Sequence, residues 1–487
     1  MKKYNVFKIL FIALLAVMVI SFLIPQSQLG YSGIEKGLIN PITFVDSVSN
    51  VLTSFSVFIA SFVYILSIGV FYYVLKKSEK YDEVVNNTAA KFKNKKKLFI
   101  VVSVLTFGLL TAIIGDMLPM LIFVPAFIDI AKKLGYDSKR AILSTVGAII
   151  LGSANSLYTN YANQILSTTV TTNIIFKAVM LVVSLVAIIL FVTINFKPTD
   201  VKLEVKKVKK GLPITIAFDA LLILIILGMT PWNKYFGFEG FTNFYNSLVD
   251  FKVAKVSLYN AIIGSTTVAF GDFTIYQLVV LILFISTVLS LIYKFKIDDF
   301  IESISQGIRK ALPYAMIFIF ANTILVGVYN SGFYTTVISE IARLNDRIVS
   351  SFTISSLSAL VYPDYTYASQ FTLSTLVAVI SKTSMYSIFA IVFQLFYSLM
   401  LLISPTSFLI LMALRYEEIS YKDWIKYIYK FFLGALIVFF IATIIVGFKY
   451  VKTISYVVLG VLVVILGLFI ILKKGNKKEV TKKKKQK

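Results

Sequence analysis

The stretch LFIVVSVLTFGLLTAIIGDMLPMLIFVPAFIDIA, residues 98–131, is a long, largely apolar run interrupted in its middle by Gly115, Asp116 and Pro119. As one helix its roughly 34 residues would reach about 51 Å, whereas a bilayer's hydrocarbon core is about 30 Å thick and each half reaches only about 24 Å. Both flanks are basic, Lys95-Lys96-Lys97 on one side and Lys132-Lys133 with Lys139-Arg140 on the other. The positive-inside bias therefore asks for both on the cytoplasmic face. A re-entrant hairpin that turns at Gly115-Asp116 meets both demands. Irregular backbone and a carboxylate at mid-depth are tolerated only beside protein or a water-filled cavity, which makes this turn the first candidate site.

The rest of the chain supports a membrane reading. Of its 487 residues 58% are hydrophobic, and the mean hydropathy is +0.85, more apolar sequence than a water-soluble core could hide. The formal charge of +24 sits in short Lys/Arg blocks between apolar runs. That is the pattern of loop charge that orients spans, not of a nucleic-acid interface. Cysteine and histidine are absent, which excludes disulfides, thiolate or imidazole metal sites and histidine acid–base chemistry. No nucleotide-binding Gly-rich loop, metal cluster or catalytic triad is present, so the reading is not that of an enzyme. No cofactor is expected beyond a coupling Na⁺ or H⁺. The expected partners are a small-molecule substrate and the lipid bilayer, with a homodimer left open.

The opening pattern recurs. Residues 348–380 form a second long apolar run, interrupted at Tyr362-Pro363-Asp364-Tyr365-Thr366. Each hairpin is followed by an interrupted span: residues 141–170, broken at Gly152-Ser153-Ala154-Asn155-Ser156 with Asn160 and Asn163 beyond, and residues 384–414, broken at Ile403-Ser404-Pro405-Thr406-Ser407. Asp116 and Asp364 lie about 248 positions apart and Ser153 and Ser404 about 251. The expected fold is an all-α polytopic membrane protein with about ten spans plus two hairpins, built as two inverted repeats. The first repeat covers residues 1–196 and the second 275–447. A basic linker, a connecting span and an outer segment fill 197–274, and 448–487 adds a last span and a lysine-rich tail. Residues 294–310 suggest a short amphipathic cytoplasmic helix of their own. Both termini are expected inside, at a bacterial plasma membrane.

Two readings compete at each interruption. Asp favours turns and helix caps, and Gly and Ser favour close helix packing. Alternatively, freed carbonyls, hydroxyls and half-helix N-termini at a broken helix bind an ion or substrate. On the second reading the binding residues are Gly115, Asp116, Ser153, Asn155, Ser156, Asp364, Thr366, Ser404, Thr406 and Ser407, with Asn322 and Gln394 as secondary candidates more suited to inter-helix hydrogen bonds. Two carboxylates with no intramembrane Arg or Lys near them in sequence suit an ammonium, guanidinium or Na⁺. A dicarboxylate would need cations entering with it.

Three stretches carry a family resemblance: LGYDSKRAILSTVGAIILGSANS, GIRKALPYAMIFIFANTILVGVYNSGF and FQLFYSLMLLISPTSFLILMALRYEEISYKDWIKYIYKFF. With the order hairpin, broken span, span in both halves, the chain resembles the ion transporter superfamily. Within it the chain looks like the YfcC-like branch, related to arginine/ornithine exchangers and anaerobic dicarboxylate carriers. The resemblance implies a substrate held between the hairpin tips and the broken helices. It departs from that pattern at Asn322, where such proteins tend to carry Arg, at the PDYTYAS tip, and at Phe396-Tyr397, where an acid is usual. The function expected is secondary transport of small amino acids, preferentially basic, by exchange or cation-coupled uptake. The alternative is a carrier of dicarboxylates or other small carboxylates, and a channel or scaffold stands further off.

Overall fold

The computed structural model describes residues 5–30, 33–157, 165–166, 173–194, 199, 211–253, 255–344, 346–380 and 383–467. Asn160, Asn163, most of the basic linker and the lysine tail lie outside them. In chain order come α1 (Asn5–Ser21), a ribbon of β1 (Ser27–Gly30) and β2 (Gly33–Lys36), α2 (Phe44–Lys77), α3 (Tyr81–Lys91), α4 (Lys96–Ile114) and α5 (Val124–Lys133). Next are α6 (Ser138–Ile142), a π turn at Leu143–Gly147, α7 (Ala148–Ala154), α8 (Ile174–Thr193), α9 (Leu212–Met229), α10 (Trp232–Phe236) and α11 (Gly240–Asp250). A two-residue ribbon, β3 (Lys252–Val253) and β4 (Val256–Ser257), leads to α12 (Leu258–Ile262), α13 (Ile275–Ile292), α14 (Ile297–Ser331) and α15 (Phe333–Ala342). The described residues end with α16 (Arg347–Val361), α17 (Tyr365–Val379), α18 (Tyr386–Leu401), α19 (Phe408–Tyr416), α20 (Tyr421–Val446) and α21 (Thr453–Gly467).

The protein is an all-α polytopic membrane protein. Among the described residues seven helices are long and apolar enough to cross a bilayer: Phe44–Lys77, Lys93–Ile114, Ile174–Thr193, Leu212–Met229, Ile275–Ile292, Ile297–Ser331 and Tyr421–Val446. Two details depart from the sequence expectation. The first arm of the first hairpin runs 22 residues because helical structure begins within the lysines at Lys93, so this arm alone has spanning length. Residues 294–310 do not form a separate helix: α14 runs unbroken for 35 residues, through Pro313. A charged, amphipathic turn can simply extend a span beyond the apolar layer.

The chain folds into two compact units. One comprises Val51–Tyr158 with Ile188–Phe320, the other Met1–Asn50, Thr159–Ala187 and Ala321–Lys487. In the first, α2 and α14 lie antiparallel in constant register. Phe58, at a kink in α2, meets Phe318 edge-on at 5.7 Å. Gly69 meets Gly307 and Ala311, where a Cβ on Gly69 would stand 2.5 Å from the Gly307 carbonyl oxygen. Lys77 pairs with Asp299 at 3.0 Å and Glu302 at 2.6 Å. Residues without side-chain bulk allow the two backbones this approach. A similar approach joins α7 to α4, since a Cβ on Gly152 would lie 2.4 Å from the carbonyl oxygen of Gly108.

In the second unit α16 packs along α18 and α17 against α15. The β1–β2 ribbon docks on α15. Ser27 and Thr336 share a hydroxyl–hydroxyl bond of 2.7 Å, the Ser27 N–H donates to the Gly332 carbonyl, and Lys36 pairs with Glu340 at 2.7 Å.

Candidate functional site

Each hairpin turns at an aspartate whose carboxylate accepts a backbone N–H just after it. In the first unit α4 ends on Gly115 in the left-handed region (φ 82°), a conformation glycine adopts without a Cβ penalty. Its N–H donates to the Thr111 carbonyl at 2.8 Å. Asp116 Oδ1 then accepts from the Leu118 N–H at 2.9 Å, and a 3-10 turn from Pro119 to Phe123 leads into α5. In the second unit α16 ends at Tyr362, and Asp364 is the N-cap of α17, its Oδ1 accepting from the Tyr367 N–H at 3.1 Å. Asp364 thus sits at the positive end of α17, a placement that caps and dipoles favour, whereas Asp116 closes a local turn on its own backbone.

The breaks in the following spans close over the ends of these hairpin arms. After α7 ends, the Ser156 hydroxyl donates to the Ala112 carbonyl at 3.2 Å and the Leu157 N–H to the same oxygen at 3.0 Å. In the second unit the Ser404 hydroxyl donates to the Ala359 carbonyl at 2.7 Å, and Thr406 Oγ1 reaches the Ala359 and Leu360 carbonyls at 3.3 and 3.2 Å. Ser404 and Thr406 also bond each other at 2.9 Å. A tyrosine completes each closure: Tyr235 donates to the Ile113 carbonyl at 2.9 Å and Tyr397 to the Tyr362 carbonyl at 2.7 Å. A helix C-terminus leaves orphan carbonyls, and here hydroxyls and tyrosine Oη–H groups satisfy them in a buried setting.

The other candidates fall around these closures. Ser153 lies in the last turn of α7, and the Asn155 side-chain amide donates to the Leu151 carbonyl at 3.0 Å. Ser407 is the N-cap of α19 and Thr366 lies in the first turn of α17. Asn322 on α14 and Gln394 on α18 are buried. The structure gathers Gly115, Asp116, Ser153, Asn155 and Ser156 in the first unit, and Asp364, Thr366, Ser404, Thr406, Ser407, Asn322 and Gln394 in the second. The closing tyrosines, with Tyr64 donating to the Pro119 carbonyl and Tyr72 to that of Ile122, escape sequence reasoning. Their partners are backbone oxygens, which no residue pattern marks. Tyr64 and Tyr72, two turns apart on α2 beside the first hairpin in sequence, are the one hint. Among the described residues no group of three or more acidic side chains could hold a metal ion.

Paired hairpins and broken helices inside a polytopic helical protein define a membrane transporter. The chain belongs to the C4-dicarboxylate anaerobic carrier family, DcuC, whose model matches residues 5–448. Among solved structures it is similar to the YdaH transporter of Alcanivorax borkumensis, at 12% identity and a TM-score of 0.43 over 91% of this chain and 98% of that one. It is also similar to MtrF of Neisseria gonorrhoeae, from a class of antimetabolite efflux pumps, at 12% identity and a TM-score of 0.40 over 90% and 94%. No curated protein sequence matches.

The family overturns the expectation of a basic amino-acid exchanger, and it replaces the YfcC-like branch as the chain's place. The misleading signal was the acidic pair. Asp116 and Asp364, taken as bait for a cationic cargo, each bond a backbone N–H of their own turn.

Proposed function

We propose that this protein is a secondary carrier of C4-dicarboxylates, working by alternating access in the cell membrane with both termini on the cytoplasmic side. The observation that carries this reading is the family match, which runs through both hairpins and both breaks. The site chemistry is compatible with it. Hydroxyls and tyrosines occupy the tip carbonyls that would otherwise favour cations, while Asp364 is engaged as a cap and Asp116 in a local turn. A dianion moving through such a site calls for accompanying Na⁺ or H⁺, or exchange against a second dianion. The substrate-contacting residues we propose lie at the tip and break of each unit: Gly115, Asp116, Ser153, Asn155 and Ser156 in one, and Asp364, Thr366, Ser404, Thr406 and Ser407 in the other.

We also propose that the two halves are inverted repeats with an offset of 248. Asp116 shifts onto Asp364, and Ser156, rather than Ser153, onto Ser404, both serines donating to a carbonyl near the end of the preceding hairpin arm. The α2–α14 pair supports the same offset. Its Val70–Gly307 contact shifts onto residues 318 and 59, one position from the Phe58–Phe318 pair.

Counterflow in proteoliposomes tests the substrate. Vesicles preloaded with unlabelled succinate should accumulate labelled succinate with saturation, and a C5 dicarboxylate should compete less well. Arginine counterflow without succinate counterflow would reverse the reading.

A further inference from the structure

The family match stops at residue 448, and the chain continues. After a 3-10 turn at Phe448–Tyr450 comes α21, an apolar helix with Tyr456, Val457, Val461, Val463 and Val464 all exposed. Ser455 breaks that pattern: it is fully buried, and its hydroxyl lies 3.0 Å from Oδ1 and 2.8 Å from Oδ2 of Asp346. Asp346, only 2% exposed, is the N-cap of α16, the first arm of the second hairpin. Its Oδ1 also accepts from the Ile348 N–H at 3.1 Å and the Val349 N–H at 3.0 Å. Gly447, at the end of α20, presses on the same turn, where a Cβ would stand 3.0 Å from Ile348 Cδ1.

A helix with no task but to lie in lipid has no reason to bury a serine on a carboxylate. Along the next two turns Ser350, Ser351 and Ser355 each donate to a carbonyl of their own helix, so these bonds hold α16 to nothing else. We propose that the segment after residue 448 is a latch on the second hairpin, with the Ser455–Asp346 bond as its catch. The latch fixes the first turn of α16 by orienting the carboxylate that caps it. When the hydroxyl is removed, Oδ2 loses the bond shown to it, the cap loosens, and α16 opens more often from its start.

The natural chain has no cysteine, so single-cysteine variants report opening cleanly. Ser350 and Ser144 are both fully buried, one in α16 and one in the π turn of the other unit. In purified full-length protein, Ser350→Cys reports the hairpin and Ser144→Cys serves as control, each labelled with a maleimide. Adding Ser455→Ala should speed labelling at position 350 about five-fold, as local opening becomes more frequent. Labelling at 144 should stay unchanged, and Ser455→Thr, which keeps the hydroxyl, should restore the slow rate. Equal labelling at 350 with and without Ser455→Ala overturns the latch, and so does a parallel rise at 144. No substrate enters this test, so its failure would leave the carrier reading standing.

Discussion

Asp116 and Asp364 show how one side chain can invite two readings. A carboxylate at mid-depth of a membrane protein signals a binding site, yet here each oxygen described bonds an N–H two or three residues on. Capping and charge can be separated by substitution, because asparagine caps about as well as aspartate while alanine does not. Asp116→Asn and Asp364→Asn should therefore keep the melting temperature, since the amide oxygen still accepts each N–H. Asp364→Ala should cost about 1 kcal/mol of stability, read from denaturant unfolding or thermal melts. If Asp116→Asn abolishes transport while the fold stands, the carboxylate acts on substrate or coupling ion directly. The tips and breaks were legible in the sequence because Gly, Pro, Asp and Ser interrupt long apolar runs. What the interrupting side chains bond was not, because Ala112, Ile113, Ala359 and Tyr362 contribute backbone oxygens.

At the level of elements, α2 and α14 fit closely. Phe58, Gly69 and Lys77 step by 11 and 8 residues, and their partners Phe318, Gly307 and Asp299 step back by the same intervals. A methyl group on Gly69 would stand 2.3 Å from Ala311 Cβ and 2.5 Å from the Gly307 carbonyl oxygen. Gly69→Ala should accordingly destabilise the protein by about 1–3 kcal/mol, the usual cost of overpacking, measured by thermal melts in detergent. Adding Ala311→Gly should recover only part of it, since the backbone oxygen remains in the way. Sequence reasoning saw each of these helices as shorter than it is. It set the charged end of α14, with Asp298, Asp299 and Glu302, apart as a separate amphipathic helix, although one helix can carry such residues once it leaves the apolar layer.

For the whole molecule, membership of a dicarboxylate carrier family makes ligand binding a measurable stability term. A ligand that binds only the folded state at one hundred times its Kd should add about 2.7 kcal/mol, so succinate should raise the melting temperature where arginine does not. Fold class and transport were readable from hydropathy and interruption spacing, whereas substrate charge was not, because an acid's partner decides what it offers a ligand. The β1–β2 ribbon carries a further consequence, one of timing. Its contacts through Ser27 and Lys36 lie 309 and 304 positions downstream, on α15. At about 5–20 residues per second of synthesis, the ribbon waits roughly 15–60 s for its dock to emerge. Until that dock has been made, the paired strands stand without the surface that holds them.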